Sequence, residues 1–425
     1  MDTKIFSKNI NKFYPEIVFL FIISFIAGTF FVNAFTIFFF LYFVFFYKKI
    51  LNQYKNITIA IILFFLITLV NTAHYGSSTS SLLFKAIFFL RILILPVVLA
   101  FLISNKENID LNNRLFKYLF YLTIVIAVDI IFQYILGFNL LGFSSQNSGL
   151  RNPSFFNSHM VSGSFLSKLF PLITAYVILN KYTELKKNIL FKSSIIIIFL
   201  AIIFSGERMA FINAVFFLLV FSIFYIKKTY KYIIAIAFIF FFNVTFLTKF
   251  QDRYINDTKA HLMGAESHKS LPEKIDLLKN YNKLSQGIHY QLFNSSIKIT
   301  INSDKIFGYG IKGFQMECFK IQKNDNTYSC TTHPHNIYLE ILNAGNIILL
   351  IAFLIFVILI IKANLRNYKN SIIRTALLIN LLILLNPIQI TGGYFSSWYG
   401  SLIMTMIAFS ISNINDKNIL VKNKS

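Results

Sequence analysis

Residues 333–361 read HPHNIYLEILNAGNIILLIAFLIFVILII. From Ile347 to Ile361 no side chain is polar, and a backbone passing through hydrocarbon must satisfy its own hydrogen bonds, so this run predicts a transmembrane α-helix. Just before it stand His333 and His335, two imidazoles at the expected edge of a bilayer. A long polar stretch precedes them, so any chemistry there faces both lipid and water.

The rest of the chain agrees with a membrane protein. Of 425 residues, 56% are hydrophobic and only 13% charged, whereas soluble domains carry about 25% charge. Twelve apolar segments follow, near 14–30, 31–47, 57–70, 82–103, 115–136, 163–180, 190–204, 209–226, 230–247, 338–361, 371–386 and 394–413. The expectation is an all-α integral membrane protein of about twelve transmembrane helices, one polytopic domain over residues 1–425 with a loop domain at 248–337 between spans nine and ten. The N-terminal lysines precede apolar sequence without a small-residue cleavage site, which reads as a retained first helix.

Lys and Arg in short loops are held on the cytoplasmic side. With the N-terminus inside, the inner segments hold Lys48, Lys49, Lys181, Lys186, Lys227, Lys228, Lys362 and Arg366 among many others, against Arg151 and Arg208 in the short outer loops. Both termini are therefore expected in the cytoplasm. The formal charge of +23 is dispersed through these loops, which suits anionic membrane lipids and argues against nucleic acid.

The long loop falls on the outer face. Ser270, with Glu273 three residues on, predicts a helix start, and a second helix is expected over Ile288–Ile299. Cys318 and Cys330, the only cysteines, predict a disulfide outside the cytoplasm, with a zinc site including His333 and His335 as the alternative. Gly308 to Gly313 matches G-x-G-x-x-G without a strand-turn-helix context, so it predicts a tight turn and no nucleotide site.

Charges at membrane depth are costly and usually face a cavity. Lys85, Arg91, Asp129 and Lys168 are such residues, as is Arg208 in the turn Ser205-Gly206-Glu207-Arg208, with Arg253 following span nine. Two guanidinium forks at one level suit a phosphate or diphosphate. Snorkelling, or pairing with Glu207 or Asp252, is the plainer alternative. Arg151 is a further candidate. His335 suits a general base, its unperturbed pKa of about 6.5 lying near working pH. Pro334 predicts an extended stretch with the rings of His333 and His335 pointing apart.

Taken in order, GLRNPSFFNSHMVSG at 149–163, SGERMA at 205–210, IFGYGIKGF at 306–314, HPHNIYLEILNAG at 333–345 and GGYFSSWYGSL at 392–402 resemble the O-antigen ligase and polymerase superfamily of bacterial inner-membrane glycosyltransferases. The resemblance implies a glycosyltransferase C-like fold with a periplasmic cap and an undecaprenyl-diphosphate-linked glycan as donor. It also implies His335 as base and Arg208 and Arg253 on the diphosphate; Arg151, His333, Asn336 and Arg91 are further candidates for substrate binding. A ligase would take lipid A-core as acceptor and a polymerase a second repeat unit, with the ligase favoured; oligosaccharyl transfer to protein is a lesser alternative. No cofactor is implied, and no acidic cluster of the kind that holds a divalent metal adjoins the motif. Gly345 is followed by Asn346 where the family pattern has a second glycine, which predicts a local change in helix packing. A secondary transporter is the alternative from another class, but the two halves show no similarity and the informative residues lie away from the midplane.

Overall fold

A computed structural model of the chain describes residues 3–75, 80–104, 109–180, 189–258, 288–303, 306–323, 329–365, 371–414 and 416–418. The described residues are almost wholly helical and hold no strand, only two isolated bridges between 138 and 151. In chain order the helices are α1 Thr3–Ala27, α2 Thr29–Tyr75, α3 Ser80–Leu93, α4 Leu95–Ile103, α5 Ile109–Leu136, α6 Ser162–Leu179, α7 Ile189–Phe204, α8 Arg208–Phe246, α9 Ile288–Ile301, α10 Gly313–Gln322, α11 Ile337–Leu365, α12 Ile372–Leu384 and α13 Ser397–Ile411. The helix expected from Ser270 lies outside the described residues, and α9 covers the one expected at 288–299.

Six described helical segments are long and apolar enough to cross a membrane, against the twelve spans expected. Part of the difference is geometric. Helix α2 is 47 residues long with non-helical dihedrals at Tyr54. A straight helix would hold Asn33 and Thr72 about 58 Å apart. Instead Asn33 accepts a hydrogen bond from Arg91, and Thr72 accepts one from the N–H of Ile311, beside the same cavity. Helix α2 therefore folds back at Tyr54 into two antiparallel legs. Helix α8 does the same at Tyr225, since Phe211 stacks on Phe240 with 5.6 Å between ring centres. Apolar helices of 10 to 17 residues account for a further part, at Ser193–Phe204, Ile372–Leu384 and Ser397–Ile411.

The short helices sit in the middle. Every residue of α6 except Ser164 is buried, as are nearly all of α12 and α13. Helix α13 packs on α4, α12 on α6, and α7 and α8 close around α6. Inside the bundle Asn380 of α12 donates to the Lys168 carbonyl of α6, three residues before Pro171.

Helices α9 and α10 form a small separate core of Leu292, Ile299, Phe314 and Cys318, and Cys318 is joined to Cys330 by a disulfide. This removes both thiols from the alternative zinc set. The G-x-G-x-x-G segment staples this unit to the bundle. Helix α11 is interrupted at Gly345 and Asn346, and the N–H groups of Tyr309 and Gly310 take the Asn343 and Ala344 carbonyls at 2.9 Å each. The departure from the family pattern thus marks a break in α11. Gly310 has φ +68°, and a Cβ there would lie 2.6 Å from Thr72 Cα.

Gly310→Ala is therefore expected to lower the thermal unfolding midpoint in detergent by several degrees. Gly137→Ala, with φ +85° but open space around it, should cost only about 1 kcal/mol. Equal midpoints for the two variants would overturn this account of the staple.

Candidate functional site

The turn between α7 and α8 organises the site. Gly206 adopts φ +73°, and its carbonyl accepts the Arg253 Nε–H at 2.7 Å. Arg253, only 4% exposed, also forms an ion pair with Asp257 at 2.8 Å, not with Asp252 as the alternative reading had it. Tyr254 donates to the Ile203 carbonyl at 2.7 Å, so the segment after α8 is bound to the end of α7. Glu207 does not pair with Arg208 either: its carboxylate accepts the N–H groups of Gly163 and Ser164 at 2.7 and 3.0 Å, at the start of α6. A carboxylate there satisfies donors that the first turn leaves open.

The loop from Gly137 to Val161 is braced against the same turn. Asn152 donates to the Phe204 carbonyl at 2.6 Å, and buried Asp129 accepts from the Leu140 N–H and the Ser154 hydroxyl. Asp129 is thus a brace for the loop. Arg151 is carried to the cavity wall, where burial first, and the charge of Arg253 next, lower its pKa from the usual arginine value.

His335 enters from the opposite side, with φ +55°. Thr391 N–H donates to the His335 carbonyl at 2.8 Å, and the Thr391 carbonyl lies 3.2 Å from His335 Nδ1. A carbonyl can only accept, so Nδ1 carries the proton and Nε2 keeps its lone pair. The expectation that the two rings point apart is corrected here. Their centres are 4.2 Å apart, because the left-handed backbone at His335 reverses the alternation that an extended stretch would give. Burial lowers His335 below its ordinary value, against the pull of the Thr391 carbonyl. Burial, then the neighbouring His335, takes His333 down to about 4.

Arg151, Arg208, Arg253, His333 and His335 all line one cavity of about 680 Å³. The structure does not bring Asn336 or Arg91 to it. Asn336 caps α11, accepting from the Leu339 N–H at 3.1 Å and donating to the Pro387 carbonyl at 2.6 Å; Arg91 lines a neighbouring cavity. Three wall residues were given no role from sequence. Lys168, 3% exposed, reaches the wall over the Tyr399 ring, and its place in an apolar helix was the available signal. His289, 5.6 Å from His335 between ring centres, and Thr391 gave no signal of their own.

The arrangement can receive an anion. Three guanidiniums and one ammonium line the cavity with one carboxylate, Glu207, engaged by the Gly163 and Ser164 N–H groups, while Asp257 pairs with Arg253. Buried like charges without counter-ions are costly. Among the described residues no group of three His, Cys, Asp or Glu side chains is placed to hold a metal ion.

Fold and cavity together describe a multi-pass helical membrane protein with a cation-lined chamber at one end of the bundle. Residues 193–354 match the family model described as O-Antigen ligase, a stretch that runs from α7 into α11 and holds Arg208, Arg253, His333 and His335. The resemblance to the O-antigen ligase and polymerase superfamily is thereby borne out. No curated protein and no solved structure matches the chain.

Removing Asp257 leaves Arg253 buried without its counter-charge, so Asp257→Ala should cost about 3–5 kcal/mol of stability. Arg208→Gln thins a like-charge cluster and should leave the ligand-free thermal midpoint unchanged or raised. A drop for Arg208→Gln as large as that for Asp257→Ala would contradict the electrostatic account.

Proposed function

We propose that the protein is a glycosyltransferase that moves a glycan from a lipid-linked diphosphate, undecaprenyl diphosphate by family resemblance, to lipid A-core. The observation that carries this reading is that His335 and the arginines Arg208 and Arg253 line one cavity. In the proposed step His335 Nε2 takes the proton of an acceptor hydroxyl, and that oxygen forms a bond to the anomeric carbon of the donor sugar. The bond from this carbon to the diphosphate breaks, its electron pair goes to the departing oxygen, and the anomeric configuration inverts. Arg208 and Arg253, with Arg151, hold the diphosphate as its negative charge grows. Such a step asks for no metal.

An apolar groove supports a lipid-borne donor. About 460 Å³ in volume, it is lined by α7 and both legs of α8, including Phe199, Val215, Ile236 and Phe240, and shares Ile212 with the site cavity. An isoprenoid tail laid there would run directly from the diphosphate. In this reading about twelve helical legs cross the bacterial inner membrane, both termini are cytoplasmic, and the cavity and the 248–337 loop domain face the periplasm.

His335→Ala is expected to abolish long-chain surface glycolipid on a gel and leave bare core. Core bearing a single repeat would instead identify a polymerase, and unchanged glycolipid would remove His335 from the chemistry. Because only the neutral imidazole can accept a proton and its pKa lies below 6.5, the acid limb of kcat/KM in a purified transfer assay should fall below pH 6.5. Activity already lost at pH 7 would exclude His335 as the base.

A further inference from the structure

A second cavity, of about 460 Å³, lies on the other side of His333 and Trp398, which line both chambers. Its wall carries three cations, Lys85 and Arg91 of α3 and Lys312 at the start of α10, against one carboxylate, Glu340. Glu340 is engaged elsewhere, accepting the Tyr394 N–H at 2.7 Å. Among the described residues none of the three cations forms an ion pair. Arg91 donates only to the neutral Asn33 carbonyl oxygen at 2.6 Å, and its Nε is buried without a partner. The Nε2 of His333, in the partition, is likewise buried and unpartnered. The cationic wall continues outward past Lys85, Lys312 and Gln315 into a further depression of about 410 Å³.

Two chambers that meet at an imidazole suit a transfer between two large substrates. The first already has an anion site and an apolar groove. The second combines cations that form no ion pair among the described residues with polar side chains from Thr29, Gln315, Thr332 and Ser396 and the rings of Phe88, Phe395 and Trp398, a lining that suits a charged oligosaccharide.

Resting on the transfer reading above, we propose that the second chamber receives the acceptor glycan, held through a phosphate or carboxylate group on its sugars by Lys85, Arg91 and Lys312. The receiving hydroxyl then passes His333 to reach His335. The donor enters from one side of the partition and the acceptor from the other. The acceptor subsite thereby selects anionic glycans.

The test uses the full chain in zwitterionic lipid nanodiscs. Its readouts are transfer kinetics and the fluorescence of Trp398, the single tryptophan, which is anchored by its Nε1–H on the Phe25 carbonyl. The probes are a phosphorylated lipid-anchored core oligosaccharide and the same compound after phosphatase treatment. The triple variant Lys85→Ala, Arg91→Gln, Lys312→Ala should raise KM for the phosphorylated acceptor about tenfold or more, the equivalent of about 1.4 kcal/mol, and leave KM for the lipid-diphosphate donor unchanged. Wild type with the dephosphorylated acceptor should behave like that variant. The conservative triple Lys85→Arg, Arg91→Lys, Lys312→Arg should recover most of the affinity, which separates a charge effect from misfolding.

Equal use of both acceptors by wild type, or a loss confined to donor KM, would overturn the assignment. So would loss of the phosphate preference when phosphatidylglycerol replaces part of the nanodisc lipid, since the cations would then serve bilayer headgroups. If wild type transfers nothing while Trp398 still responds to the phosphorylated acceptor and fails to respond in the variant, the chamber stands and the transfer reading falls. Transfer with an acceptor KM indifferent to all three substitutions has the opposite meaning.

Discussion

The hydrogen bond from Arg253 to the Gly206 carbonyl is the contact on which the cavity depends. It closes the segment after α8 onto the turn before it and so converts a helical hairpin into one wall of a chamber. A buried guanidinium tolerates this place because its fork is divided, Nε to a carbonyl and Nη1 to Asp257. Lysine has one charged nitrogen and could not divide itself in this way. With Arg253 fixed, Arg208 at the first residue of α8 and Arg151 on the braced loop need only short reaches to meet it. The same turn supplies Glu207 to the start of α6, so the core helix and the cavity share one anchor.

Why the described irregular segments around the cavity are held by neighbouring side chains and helix ends follows from hydrogen-bond accounting. In hydrocarbon a non-helical backbone has no water to satisfy it. The turn 205–208, the loop 137–161, the stapled segment 306–312 and the stretch 385–396 all lie where helices end, and each is satisfied by its neighbours. Asn336 and Glu340 illustrate the economy. One caps α11 while holding the Pro387 carbonyl, and the other accepts the N–H of Tyr394. Side chains that look like substrate contacts in a motif are here committed to backbone, which fixes the loop that carries Thr391 and hence the ring of His335.

Legibility in the sequence divided along the same line. Apolar periodicity marked the helical legs, including the breaks near Tyr54 and Tyr225, because lysine pairs and polar residues at those points cannot remain in lipid. The candidate arginines Arg208 and Arg253 stood out for the same energetic reason, His335 for an imidazole pKa near working pH, and the two cysteines as a pair in the outer loop. The partners were less legible. Asp252 stands beside Arg253 in sequence, but one helical turn places Asp257 on its face. Pro334 constrains only the residue before it, so the positive φ of His335, and with it the meeting of the two imidazoles, was invisible. Lys168 stood out as a charge in an apolar helix, but its place over the Tyr399 ring, like the approach of Thr391 to His335, depends on pairings between distant segments that no local pattern carries.

The two chambers give the proton transfer a physical sequence. Burial disfavours the imidazolium, so His335 is neutral and basic while it waits. In the proposed reaction a proton arrives on Nε2 as the electron pair of the breaking bond moves onto the diphosphate, in the same cavity. The imidazolium and the departing anion then stabilise each other at low dielectric, where such an attraction is strong. When the lipid diphosphate leaves, that counter-charge leaves with it. The burial that keeps His335 unprotonated at rest then favours release of the proton, in a cavity whose arginines repel it. In the proposed reaction, product release and restoration of the base are therefore one electrostatic event.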